Sequence, residues 1–162
     1  MSDLSALARR VLELAAEKNL SVVTAESCTA GKLCALLSEG PGAATHLQGG
    51  FVTYTKTSKR HALRVSQALL EEKGAVCCDV AAAMARGAFA RSPADLAVSI
   101  TGVAGPEPDE DGNPVGRVCI GLAREEGMHE WEFHYGDLGR DVIQARAMQD
   151  ALKLVIAAME AA

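Results

Sequence analysis

Apolar residues Leu4, Leu7, Val11 and Leu14 recur at helical spacing and predict an N-terminal helix, with Ser2 or Asp3 as its cap and Asn19 at its end. Ser21 to Thr24 reads as a buried strand. Leu33, Leu36 and Leu37 place a helix over roughly Thr29 to Ser38, stopped by Gly40-Pro41-Gly42. Leu47 to Thr55 reads as a strand, and Gly49-Gly50 marks a bulge or a close backbone approach at its start. Ser66 to Lys73 predicts a short helix ended by Gly74. Asp79 is the expected cap of a helix running to Arg91, which Ser92-Pro93 terminates. Leu96 to Thr101 has few polar positions, as in a sheet covered on both faces. Arg117 to Arg124 and His129 to Tyr135 predict a hairpin, with Trp131, Phe133 and Tyr135 on one face. Val142, Ala145, Met148, Leu152, Val155 and Met159 form one stripe of a long last helix. Helices and strands interleave, so the class is α/β in a three-layer arrangement. With no repeat, linker or low-complexity tract, residues 1–162 read as a single domain.

Gly102 to Gly116, rich in glycine and proline, is too long for a mere connection and reads as a functional loop. The formal charge of −5, from 16 basic and 21 acidic residues, argues against a general nucleic-acid binder. An anionic ligand would have to be held by local cations. No apolar run is long enough to span a membrane, and the N-terminus lacks the layout of a signal peptide. Cys28, Cys34, Cys77, Cys78 and Cys119 are odd in number and contain no Cys-x-x-Cys pair. That pattern fits reduced thiols in a cytoplasmic protein rather than a disulfide framework or zinc knuckle.

Candidate chemistry concentrates at Thr24-Ala25-Glu26-Ser27-Cys28-Thr29-Ala30-Gly31, where a strand ends in a turn that opens a helix. A serine there is exposed to helix N-terminal amides, as an acyl-transfer nucleophile requires. Capping the helix is the commoner role for such a residue. Gly31-Lys32 does not make a phosphate loop, because Glu26 replaces the first glycine and Leu33 follows the lysine. The four histidines show no i, i+4 pairing, and no ligand cluster stands at metal-site spacing, so no metal or cofactor is expected. A base other than histidine is then needed. Lys59 or Lys56, just after the second strand, can serve if burial lowers its pKa, although a lone lysine is ordinarily solvated. Tyr54 can relay a proton or orient the serine.

Thr24 to Gly31, Gly50-Phe51-Val52-Thr53-Tyr54 with Lys59, Gly74-Ala75-Val76, Ala97 to Pro106, and Pro114-Val115-Gly116 together resemble the CinA C-terminal domain family. Its best-understood members are nicotinamide-nucleotide amidases. The resemblance implies a three-layer α/β/α domain with a mixed sheet, similar to an anticodon-binding-domain fold. It implies metal-free hydrolysis of nicotinamide mononucleotide (NMN) to nicotinate mononucleotide and ammonia. Ser27 would be the nucleophile, with Lys59 and Tyr54 as catalytic partners. Thr101 and Arg140, with Glu26, Thr29 and Gly102 from the matched motifs, would bind substrate. The expected partner is the small-molecule substrate, with no nucleic acid and no membrane; a homo-oligomer is compatible with it.

Two other readings stay open: a non-catalytic nucleotide-binding module linked to competence or DNA damage, and a thiol hydrolase using Cys28. The chain departs from the family pattern at Ala30, where glycine is common, at Lys56, where asparagine is frequent, and at Cys77-Cys78, where serine is usual. Its loop Glu107-Pro108-Asp109-Glu110-Asp111-Gly112 is unusually acidic, which disfavours a phosphorylated substrate.

Overall fold

The apolar runs become the middle layer of the molecule. The computed structural model describes residues 3–162. Ser2, one of the two expected caps of the first helix, lies outside them. Along the chain the elements are α1 (Asp3–Lys18), β1 (Val22–Glu26), α2 (Lys32–Ser38), α3 (Ala43–His46), β2 (Leu47–Val52), α4 (Lys56–Leu63), α5 (Gln67–Lys73), α6 (Cys78–Ala90), β3 (Leu96–Gly102), β4 (Arg117–Arg124), β5 (Gly127–His134) and α7 (Arg140–Glu160).

The sheet order is β2-β1-β3-β4-β5. β1 pairs in parallel with β2 and β3, whereas β3-β4 and β4-β5 are antiparallel. The sheet is therefore mixed, and helices cover both faces. Side chains alternate along each strand. Val22, Val98, Ile100 and Ile120 point into one core with residues of α1, α2 and α7. Val23, Ala25 and Ala97 point into the other, with Leu63, Leu70, Val80 and Met84 of α4, α5 and α6. This double coverage explains why β1 is buried throughout and β3 all but its last residue. β5 lies at the edge and alternates, packing Trp131 and Phe133 inward together with the following Tyr135.

The glycines of β2 act as their position predicts. The pairing slips between Val22 and Val23, leaving an extra residue on β2. A Cβ on Gly50 would stand 2.4 Å from Thr24 Oγ1 and 3.0 Å from Cys34 Sγ, so only glycine lets α2 and β1 approach so closely.

Several boundaries differ from expectation. α2 starts at Lys32, three residues late, because Ala30 (φ 50°) and Gly31 (φ 93°) adopt left-handed backbone and cannot continue a helix. Asp79 lies in the first turn of α6, and Cys77 occupies the cap position. α7 buries Met148, Leu152, Val155 and Met159 of the predicted stripe, but at its start Ile143 and Gln144 are buried, whereas Val142 is 45% exposed. α3 and α4 fall where no helix was expected. α4 is capped by Thr55, whose side chain accepts from the Ser58 amide.

Candidate active site

The three parallel strands end side by side, and their C-terminal ends open into one cleft of about 350 Å³. Crevices at this end of a parallel sheet are the usual ligand position in α/β folds. Ser27 follows β1 directly, Tyr54 lies two residues beyond β2, and Gly102 closes β3. All three line the cleft with Lys59, Thr101 and Arg140.

The centre of the cleft is a lysine–serine pair. Lys59 is 1% exposed, and its Nζ lies 2.6 Å from Ser27 Oγ. The amine also donates to Thr53 O at 2.8 Å and, at 3.4 Å, to Tyr54 O. Helix α4 creates this arrangement: Lys59 and Leu63, four residues apart, are its buried positions. Among the described residues no carboxylate forms an ion pair with Lys59. Burial without a counter-ion pushes its pKa down from 10.5 to about 8. A neutral amine has two hydrogens and one lone pair. The two carbonyls take the hydrogens, which leaves the lone pair for the Ser27 hydroxyl.

Lys56 is the opposite case. Its Nζ lies 2.7 Å from Asp111 and 3.4 Å from Glu110, and these carboxylates raise its pKa. Of the two candidate bases, only Lys59 is set to lose its proton. Cys28 is buried, and burial pushes its thiol up to about 12, which keeps it a neutral thiol rather than a nucleophilic thiolate.

The turn carrying Ser27 is held from below by Glu26. Its buried carboxylate accepts from Thr24 Oγ1 (3.1 Å), Thr29 Oγ1 (2.6 Å), Leu33 N (2.9 Å) and Cys34 N (2.9 Å). Glu26 thus satisfies the first amides of α2 in place of a conventional cap, and Ser27 does not cap the helix. Glu26 and Thr29 face each other beneath the turn and do not line the cleft.

The Ser27 amide is committed to Ile100 O at 2.9 Å, so the next amides, Cys28 and Thr29, are the turn's candidate oxyanion donors. Among the described residues neither donates to a backbone carbonyl. The Thr101 hydroxyl lines the cleft but donates to Ala75 O at 2.7 Å. Tyr54 brings its carbonyl, not its phenol, to Ser27, at 3.5 Å. The phenol sits at the cleft mouth and accepts from Arg140 at 3.1 Å. Arg140, the first residue of α7, also donates to Gly105 O at 2.8 Å.

Sequence reasoning missed Gln144. This buried side chain accepts from Lys32 Nζ at 2.6 Å and donates to Cys28 O at 2.8 Å, clamping the turn to α7. Its spacing of four from Arg140 was the available signal, since such residues share a helix face. The acidic loop also has a defined shape. Asp109 accepts from the amides of Asp111 and Asn113, and Asp111 reaches Lys56 and the Ala75 amide. Glu107 and Glu110 remain on the cleft wall.

Comparison with known proteins bears on nearly the whole chain. The CinA C-terminal domain profile matches residues 4–159. A putative competence-damage inducible protein of Lacticaseibacillus casei is 37% identical over 159 residues, covering 98% of this chain and 38% of that protein. The chain spans about a third of the length of the curated relatives it matches. Among solved structures, the competence/damage inducible protein CihA from Agrobacterium tumefaciens is 39% identical, with TM-score 0.93 over 97% of this chain and 96% of that one. A CinA superfamily protein from Klebsiella pneumoniae is 27% identical, with TM-score 0.94 over 99% of this chain and all of that one.

Proposed function

The chain belongs to the CinA C-terminal domain family, and from that premise we propose that it is a metal-independent amidohydrolase that converts NMN and water to nicotinate mononucleotide and ammonia. The observation that carries this reading is the buried Lys59 amine, 2.6 Å from Ser27 Oγ and, among the described residues, without a carboxylate partner. A surface lysine would be protonated at neutral pH and useless as a base.

In this mechanism neutral Lys59 takes the Ser27 proton as Oγ attacks the carboxamide carbon. The Cys28 and Thr29 amides stabilise the oxyanion, each such donor contributing about 3 kcal/mol in other enzymes. Protonated Lys59 then gives its proton to the departing amine, releasing ammonia and leaving an acyl-serine. A water molecule, deprotonated by the again neutral Lys59, attacks that ester; Lys59 then returns the proton to the departing Ser27 Oγ, and the freed acid ionises to the carboxylate product. Arg140 faces the phosphate. The cleft wall carries both signs of charge, Arg140 and Lys56 against Glu107 and Glu110, which suits a substrate that joins a pyridinium cation to a phosphate.

The test is mass spectrometry of NMN incubated with the purified chain, wild type and Ser27→Ala. Loss of the amide nitrogen with wild type alone is the expected result. A folded Ser27→Ala protein that still deamidates NMN would refute the serine's role. Binding of NMN with no ammonia release would favour the non-catalytic module.

A further inference from the structure

A second cluster of reactive side chains lies outside the cleft, assembled from three elements distant in sequence. Cys78 in the first turn of α6, Cys119 in β4 and Glu132 in β5 bring one ligand atom each to within 4.8 Å of the other two. Cys119 and Glu132 are register partners, so they share one face of the sheet. α6 packs on that face and lowers Cys78 onto the pair.

We propose that Cys78, Cys119 and Glu132 bind a thiophilic divalent cation, zinc by the chemistry of the donor set, with water in the fourth position. Two sulfurs and one carboxylate oxygen, held by separate rigid elements, suit a tetrahedral d10 ion better than magnesium or calcium. The spacing is right. Ligands at the usual zinc distances lie about 3.5–3.8 Å apart around a tetrahedral ion. Cys119 Sγ and Glu132 Oε1 are 3.9 Å apart and no pair exceeds 4.8 Å, so side-chain movements of up to about 1 Å close the site.

The carboxylate is already oriented, as metal-bound carboxylates generally are. Arg117 donates to Glu132 Oε1 at 3.0 Å, and His134 Nε2 lies 2.6 Å from Oε2. Oε1 has a second lone pair for the ion. Without an ion, burial raises the pKa of both thiols and keeps them protonated. Binding therefore expels both thiol protons, and affinity rises with pH. The site is independent of the amidase reading, and its occupancy is measured without any activity assay.

The test uses the reduced full chain, stripped with EDTA, desalted and titrated with Zn²⁺ against a chromophoric chelator. A parallel titration uses Co²⁺, whose thiolate complexes show charge-transfer absorption. The expected result is one equivalent bound, a thiolate-to-cobalt band and proton release on binding. Cys78→Ser and Glu132→Gln should each weaken binding at least about tenfold, with the charge-transfer band reduced in Cys78→Ser. Cys119→Ser should do the same. If that buried substitution prevents folding, the other two variants carry the test. Cys34→Ser, a half-buried thiol on α2, should leave affinity unchanged. Absence of stoichiometric binding by the folded wild type would overturn the proposal. So would unchanged affinity in folded Cys78→Ser and Glu132→Gln, or a Cys78–Cys119 disulfide that forms in place of metal binding.

Discussion

Lys59 ties reactivity to stability through one proton. Its pKa falls from 10.5 to about 8, so roughly a tenth of the amine is neutral at pH 7. With Lys59 as base, kcat/KM for NMN should rise about tenfold per pH unit below 8 and level off above it. Lys59→Met should abolish turnover, whereas Lys56→Met should not. A flat pH–rate profile with an active Lys59→Met protein would refute the role. The same shift sets a stability trend. Between pH 8 and 10.5 the unfolded chain binds the Lys59 proton and the folded chain does not, so stability rises with pH across that window. Relative to Lys59→Met, the wild type should gain about 3 kcal/mol there in urea unfolding experiments. Arg140 makes a separate prediction. Loss of a charge-assisted phosphate contact costs about 1.5–3 kcal/mol. Arg140→Ala should therefore lower kcat/KM for NMN roughly ten- to a hundredfold more than for nicotinamide riboside, which lacks the phosphate. Equal losses on both substrates would place Arg140 at the reaction centre instead.

At the scale of elements, the entry turn of α2 combines a left-handed alanine with a buried carboxylate that holds the turn. Ala30 holds φ 50°, a conformation that costs a non-glycine residue about 1–2 kcal/mol. Ala30→Gly should stabilise the protein by up to about 1 kcal/mol, the relieved strain being partly offset by glycine's greater freedom when unfolded. Glu26→Gln should do the reverse. It keeps the shape but leaves an oxygen for only two of the four donors and turns an amide toward the other two. Since a hydrogen bond to a charged group contributes about 1.5–3 kcal/mol, a loss of about 3 kcal/mol in chemical denaturation is expected. Unchanged stability would mean that Glu26 is not what holds the turn.

These same elements show where the sequence was legible. The β1 to β5 order along the chain, α1 and the hairpin follow from apolar periodicity, which reports burial. α4 was hidden because one of its two buried positions is Lys59, so its pattern looks like a polar loop. The first turn of α7 was misread for a similar reason, although Met148, Leu152, Val155 and Met159 are buried as expected. Gln144 is buried by its bonds to Lys32 and Cys28, while Val142 is left outside. The start of α2 depended on the φ of Ala30, which composition does not encode. Ser27, Lys59 and Tyr54 were singled out by the strand-end turn and the need for a base, and Thr101 and Arg140 by motif resemblance; all five line one cleft, but the seating of Glu26 and Thr29 beneath it follows only from their hydrogen bonds.

On the scale of the whole molecule, two separate centres share one face of the sheet: Cys119 is the register partner of Thr101, which lines the cleft, but none of the three clustered residues lines it. The cleft opens where the parallel strands end, with the Lys59–Ser27 pair at its base. The Cys78–Cys119–Glu132 cluster lies between α6 and the antiparallel half of the sheet. Amide hydrolysis by Ser27 and Lys59 needs no Lewis acid, so turnover of NMN should survive EDTA, even where chelation lowers the melting temperature by emptying the thiol cluster. Loss of turnover on chelation at a temperature where the protein stays folded, with recovery on adding zinc, would contradict that separation. Among the described residues no helix is long and apolar enough to cross a membrane.

Helix α7 links the mouth of the cleft to the turn that carries the serine. Its first residue, Arg140, reaches the mouth of the cleft, and one turn later Gln144 grips the carbonyl of Cys28, next to the reacting serine. The two grips belong to one rigid rod, about 6 Å apart along its axis. If Arg140 holds the phosphate as proposed, force applied there is delivered to the serine's backbone at the other. Binding energy from a part of the substrate that never reacts can in this way be spent on aligning the part that does. A substrate without its phosphate then forfeits speed at saturation, a lower kcat, as well as the affinity of the missing contact.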